Sequence, residues 1–298
     1  MSDSVTIWEV APRDGFQPVG PFIPTETKIA TVRALAEAGL THQEVSSFVS
    51  PKAIPQLADV AQVLAAAKAV PSLVACTLAP NRKGVELALA AGAHRIGLFM
   101  SVTEGHNFSN VNRSVDASFA DLSALVHEIG DRADIRFNLS CSFHCPFEGV
   151  VPEAKALAMI DRVAALRPGI EIGVADTTGN AAPDQVFRVF QAAIARHGDI
   201  FAFHGHDTYG LGVANVEAAF RAGVKVFDAA AGGIGGCPFA PGATGNVATE
   251  DVAWMFSRMG VETGIDLPKL LAAADRIAAI PGVTPGGRVR AVPALRAA

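Results

Sequence analysis

Charge is scarce in this chain. Only 18% of its 298 residues are Asp, Glu, Lys or Arg, and the formal net charge is −5. No basic block occurs, which argues against nucleic acid or an anionic membrane surface as a partner. Long apolar runs are missing as well. Half of the residues are hydrophobic, but no run approaches the roughly 18 uninterrupted apolar residues of a spanning helix. Cysteine is sparse and scattered, at Cys76, Cys141, Cys145 and Cys237. That pattern excludes a disulfide-stapled secreted scaffold and fits reduced thiols. The start, Met1-Ser2-Asp3-Ser4-Val5, runs into an apolar strand with no basic or Arg-rich leader, so a cytoplasmic location is expected. A dinucleotide fingerprint after the first strand is absent, as is any linker rich in Ser, Pro or Gly.

What is present is a monotonous alternation. Short β-rich runs lie near Val5–Val10, Gln43–Phe48, Leu73–Leu78, Arg95–Met100, Ile135–Ser140, Ile170–Ala175, Ile200–His206 and Val224–Ala229. Ala-rich, helix-periodic stretches fill the gaps near Thr25–Ala38, Gln56–Ala67, Arg82–Ala91, Ser118–Ile129, Pro152–Leu166, Pro183–Arg196 and Val213–Ala222. One more follows the last strand, near Ala248–Met259. Strands interleaved with helices mean parallel βαβ units. Eight of them favour an α/β fold of the closed (β/α)8 TIM-barrel kind over an open sheet. One catalytic barrel domain is expected over 1–298, with its core at about 5–260. A C-terminal extension over about 261–298 would carry a helix near Pro268–Ala279.

Barrel chemistry sits on the loops after each strand's C-terminal end, and the polar residues of this chain gather there. His204 and His206 end the seventh strand on one face, because side chains alternate along a strand. Arg13 and Asp14 follow the first strand, and Glu44 interrupts the apolar second. Asp176 ends the sixth. Asn246 follows a glycine-rich loop that contains Cys237. Asp14, His204, His206 and Asn246 form an oxygen and nitrogen ligand set suited to Mg²⁺ or Mn²⁺ with positions left open for substrate. Arg13 offers a fixed fork of donors, and Glu44, Asp176 and Cys237 can move protons. Each feature also has a structural alternative. The histidines can be hydrogen-bonded rim residues, Arg13 and Asp14 a local ion pair, and Glu44 a buried partner of an arginine. Cys237 can be a small apolar residue. Cys141-Ser142-Phe143-His144-Cys145 has the spacing of a metal clip, but no second thiolate pair follows it.

Several longer motifs carry a resemblance. These are Pro12-Arg13-Asp14-Gly15-Phe16-Gln17, Ser46-Ser47-Phe48-Val49-Ser50-Pro51-Lys52-Ala53-Ile54-Pro55-Gln56, His204-Gly205-His206-Asp207-Thr208-Tyr209-Gly210, Gly235-Gly236-Cys237-Pro238-Phe239-Ala240 and Gly245-Asn246-Val247-Ala248-Thr249-Glu250-Asp251. From about Val5 to Met259 the chain resembles the 3-hydroxy-3-methylglutaryl-CoA lyases, a family of barrel metallolyases. The resemblance implies cleavage of 3-hydroxy-3-methylglutaryl-CoA, or a close 3-hydroxyacyl-CoA, to acetyl-CoA and a keto acid. It puts the metal site on Asp14, His204, His206 and Asn246, and the catalytic set on Arg13, Glu44, Asp176, His204 and Cys237. An acyl-CoA is then the partner, and barrels of this kind are often homodimers. A condensing 2-oxo acid/acetyl-CoA synthase of the same superfamily is the rival. A non-catalytic, ligand-binding barrel is the other alternative. One departure stands out: after Gln17 these lyases usually have Asn-Glu, whereas this chain has Pro18-Val19-Gly20-Pro21. That change bears on the acyl group more than on the reaction.

Overall fold

A computed structural model describes residues 3–236 and 245–292. The strands are β1 (Thr6–Glu9), β2 (His42–Ser47), β3 (Val74–Leu78), β4 (Arg95–Ser101), β5 (Asp134–Ser140), β6 (His144–Cys145), β7 (Gly149–Val150), β8 (Glu171–Asp176), β9 (Phe201–Gly205) and β10 (Val226–Ala229). Eight of them close a parallel barrel in the order β1-β2-β3-β4-β5-β8-β9-β10, with β10 pairing back onto β1. The short hairpin β6–β7 stands outside the barrel. The eight barrel strands match those expected from periodicity to within a few residues at their ends.

The helices are α1 (Thr25–Glu37), α2 (Val60–Lys68), α3 (Arg82–Ala90), α4 (Glu104–Val111), α5 (Val115–Ile129), α6 (Glu153–Ala164), α7 (Pro183–His197), α8 (Gly212–Ala222), α9 (Thr249–Met259) and α10 (Leu267–Ala278). Their limits follow local chemistry. Asn81 and Ser114 cap α3 and α5 by accepting from backbone N–H groups three residues on. Pro183 opens α7 at a position whose N–H would have no helical partner. Gly223 and Gly260 end α8 and α9 in the left-handed region. Helix α4 and the hairpin were not expected; both are additions to the barrel rim, after β4 and β5. The C-terminal helix falls where its apolar periodicity places it.

The period of two along the strands decides what faces the barrel axis. On β9, Phe201 and Phe203 point outward and pack edge-on against Phe190 of α7, with ring centroids 6.4 and 5.7 Å away. His204 therefore points inward. The same outward packing accounts for Gly205: a Cβ there would lie 2.9 Å from the Phe203 ring. Below the rim the barrel interior is polar. Arg95 and Arg136 lie over the buried Trp8 ring at 5.4 and 5.0 Å, and both pair with Glu171 at 3.3 Å.

Candidate active site at the barrel mouth

The end of β1 turns sharply. Residues Ala11–Gly15 form one π-type turn, in which the N–H groups of Arg13, Asp14 and Gly15 all reach the Val10 carbonyl. The turn aims Arg13 and Asp14 at the barrel mouth. Gly15 is required there, because a Cβ would sit 2.5 Å from the buried side chain of Ile234. Across the mouth, β9 ends at Gly205, and the next residue makes an isolated bridge to Asn246. Val247 N–H donates to the Gly205 carbonyl at 3.0 Å and Asp207 N–H to that of Gly245 at 2.9 Å. This pairing carries Asn246 to the histidines across forty residues of chain.

The expected ligand set converges. One ligand atom from each of Asp14, His204 and His206 lies within 4.8 Å of the others. The Nε2 atoms of His204 and His206 are 3.2 Å apart. Asn246 donates its amide N–H to Asp14 Oδ2 at 2.7 Å and to the Ile234 carbonyl at 3.2 Å. Its Oδ1 is buried with no hydrogen-bond partner among the described residues, and so is His206 Nδ1. A buried acceptor without a donor costs free energy unless something supplies positive charge. A divalent cation beside Asp14 and Asn246 would do so, and the donor set of two imidazoles, a carboxylate and an amide oxygen fits one. The site also stays open: the Arg13 and Asp14 side chains keep 13% and 20% exposure.

The electrostatics agree with a cation site. Burial alone would raise the Asp14 pKa, but Arg13, the two histidines and the Asn246 hydrogen bond hold it well below the usual carboxylate range. His206 is pushed down to about 4 by burial and by its neighbour His204. A neutral imidazole is the form that binds metal. Burial also acts against the charged form of His204, but the hydrogen bond and charge of Asp228, with Asp14, raise its pKa overall.

Arg13 is the hub of the second set. Its Nε and Nη2 both reach Glu44 Oε2 at 2.5 Å, and its Nη1 pairs with Asp14. The structural alternatives for Glu44 and for the Arg13–Asp14 pair thus hold geometrically, and they compose one rim cluster with the ligand set. The strand carrying Glu44 is irregular at this point, its register with β3 shifting between Glu44 and Ser46. Asp176 lies at the end of β8, fully buried. Its oxygens accept from the backbone N–H groups of Asn180 and Ala181, both at 3.1 Å. Burial still lifts its pKa to about 6, against those hydrogen bonds and the nearby charge of His204. Cys237 lies outside the described residues. The metal clip does not form: Cys145 Sγ accepts from Thr103 Oγ1 at 3.1 Å and belongs to no ligand cluster among the described residues.

Sequence reasoning passed over Asp228, which the structure places against the site, and gave Gln56 no role of its own. Asp228 hydrogen-bonds His204, and Gln56 fixes the altered first loop. Gln56 donates to the carbonyls of Val19 and Pro21 at 2.9 and 2.8 Å and accepts from Ile23 N–H at 2.9 Å. Asp228 gave the same signal as Glu44, a carboxylate interrupting an apolar strand. Gln56 ends the motif that begins at Ser46, but its role was not readable there, because its partners are backbone groups more than thirty residues away.

A closed parallel barrel with a histidine–carboxylate–amide cluster and a part-buried arginine at its C-terminal mouth is the architecture of a barrel enzyme with a candidate metal site. The comparisons with known proteins narrow the class. The HMGL-like family pattern matches residues 4–277. The chain is 41% identical over 277 residues to the hydroxymethylglutaryl-CoA lyase of Bacillus subtilis, covering 92% of each chain. It is 38% identical over 292 residues to the (R)-citramalyl-CoA lyase of Chloroflexus aurantiacus, covering 94% of this chain and 92% of that one. A solved hydroxymethylglutaryl-CoA lyase of Acinetobacter baumannii, in complex with coenzyme A and 3-methylmalate, superposes with a TM-score of 0.92 at 36% identity, over 98% of this chain and 96% of that one. This chain belongs to the HMGL-like family. It is an enzyme, a lyase of the hydroxymethylglutaryl-CoA lyase kind.

Proposed function

We propose that this lyase cleaves 3-hydroxy-3-methylglutaryl-CoA, or a close 3-hydroxyacyl-CoA, to acetyl-CoA and a keto acid, acetoacetate in the parent case. The observation that carries the reading is the convergence of Asp14, His204, His206 and Asn246, with an orphaned amide oxygen, beside Arg13. Those four residues would hold Mg²⁺ or Mn²⁺, and the bound ion would supply a Lewis acid for the substrate's oxygens. Arg13 is placed to stabilise charge developing on the thioester oxygen as an enolate forms. Glu44 holds that guanidinium in position through two contacts to one oxygen. Asp176, with its raised pKa, takes the proton of the tertiary hydroxyl, the alternative of His204 falling away once both of its ring nitrogens are committed. Cys237 then returns a proton to the enolate carbon. Relatives of the chain act on hydroxymethylglutaryl-CoA and on (R)-citramalyl-CoA, and the first loop is where this chain departs from the usual sequence. Cys76 and Cys145 are free thiols, which supports a reducing, cytoplasmic setting. We infer a homodimer, as is common for such barrels.

A product assay tests the reading. A panel of 3-hydroxy-3-methyl acyl-CoA thioesters is incubated with chelator-treated enzyme, then with Mg²⁺ or Mn²⁺ added back. Acetyl-CoA should form only with added metal. Full turnover in chelator removes the metal role. Release of CoA from acetyl-CoA plus a 2-oxo acid, with no thioester cleaved, would favour the condensing rival.

A further inference from the structure

The ligand set has a support below it that the reaction scheme does not use. His204 Nδ1 lies 3.1 Å from Asp228 Oδ2 on the neighbouring strand β10. Asp228 Oδ1 in turn accepts from Arg136 Nη2 at 2.6 Å. Arg136 is fixed from two more sides, by the Trp8 ring and by Glu171. Asp228 and Arg136 are both nearly inaccessible to solvent, so neither partner is replaced by water.

We propose that Asp228, clamped by Arg136, is a positioning residue that keeps the His204 proton on Nδ1 and its Nε2 lone pair facing Asp14 and His206. The inference rests on the reading of His204 as a ligand. The physical reason lies in the donor and acceptor inventory. Both carboxylate oxygens of Asp228 accept, and a guanidinium only donates. One oxygen is committed to Arg136, so the other takes the Nδ1–H of the neutral ring and fixes its tautomer. Nε2 is then a bare lone pair. That atom lies 3.2 Å from His206 Nε2, so the two rings can present their Nε2 atoms to one ion. The arrangement is a carboxylate–histidine–metal relay, in which the outer carboxylate sets ring orientation and basicity.

Asp228→Asn tests it with almost no change of shape. Arg136 can accept nothing, so the new amide must turn its oxygen toward Arg136 and its NH₂ toward His204. Nδ1 must then accept, and the proton moves to Nε2, which closes the lone pair. Two measurements follow. Mn²⁺ titrated into metal-stripped protein should bind about 10–100-fold more weakly in the variant, the usual effect of losing such a partner. Nitrogen-15 spectra of histidine-labelled apoprotein at alkaline pH, with His204 assigned by His204→Gln, should show Nδ1 protonated in the natural protein and Nε2 protonated in Asp228→Asn. A variant with unchanged Mn²⁺ affinity overturns the proposal, as does a natural protein whose His204 carries its proton on Nε2. If Asp228→Asn does not fold, the spectrum of the natural protein still decides. If the natural protein binds no Mn²⁺, the metal reading fails on its own, while the tautomer remains readable.

Discussion

Arg13→Lys is the substitution that most directly separates chemistry from architecture. Arg13 makes three charge-assisted contacts in a site only 13% exposed: two to one oxygen of Glu44 and one to Asp14. A lysine ammonium is a single point and cannot span two carboxylates with the geometry of the fork. One carboxylate is left without its partner. Removing one member of a buried pair costs about 3–5 kcal/mol, and retained charge at the lysine should bring this to the lower end, read as a fall in melting temperature. The catalytic loss is separate. Losing one donor to a developing oxyanion costs roughly 10²–10³-fold in kcat, about 3–4 kcal/mol. The assay is steady-state cleavage at saturating metal, at a temperature where circular dichroism shows the variant fully folded. The expected result is a drop of at least about a hundredfold in kcat, with a much smaller change in KM. A folded variant with kcat within about threefold of the natural enzyme would refute the enolate role and leave Arg13 as a structural clamp.

Two further perturbations address the frame around the site. Glu9 is fully buried at the end of β1, accepting from Ala11 N–H, Ala231 N–H and the Thr249 hydroxyl, and burial raises its pKa from the ordinary 4.5 to about 8. Its folded pKa is raised, so its stabilising contribution is complete below pH 4.5 and is lost as pH rises through about 8. Glu250, raised to about 7 by burial, acts in the same direction. Calorimetry should therefore show the melting temperature falling from pH 6 to pH 9. Glu9→Gln, which can keep all three contacts, should flatten that fall by on the order of 2–3 kcal/mol of stability over this window; an unchanged slope would mean that Glu9 is already ionised in the fold. Gly15→Ala drives a methyl group into Ile234, so a loss of about 1–3 kcal/mol and reduced turnover are expected in denaturant titration and kinetic assays. A variant as stable as the natural chain would show that the turn carrying Arg13 and Asp14 shifts freely.

Much of the barrel was legible because its signals are local. Phe201, Phe203, His204 and His206 declare their faces by parity alone, and Pro183, Gly223 and Gly260 mark helix ends by backbone chemistry that needs no distant partner. Helix α4 and the β6–β7 hairpin were missed for the converse reason. They are short and weakly periodic, and their apolar side chains Phe108, Phe147 and Val150 are exposed rather than committed to a core. Among the site residues, those at strand ends were visible as polar interruptions of apolar runs. Asp228 carried the same mark, but its meaning depended on which neighbour it faced.

By itself the sequence determined the two periodicities, hence which strands carry which side chains inward, and placed polar chemistry on one rim. Closure of the barrel decided the rest. Pairing of β10 with β9 sets Asp228 beside His204, and the bridge between His206 and Asn246 brings an amide to the histidines. The turn after β1 spans the gap from Asp14 to Glu44 through one guanidinium. Periodicity acts over a few residues, whereas these contacts join residues tens of positions apart and the Asn246–Asp14 hydrogen bond spans 232, and only the closed hydrogen-bond register of the barrel fixes which of them meet.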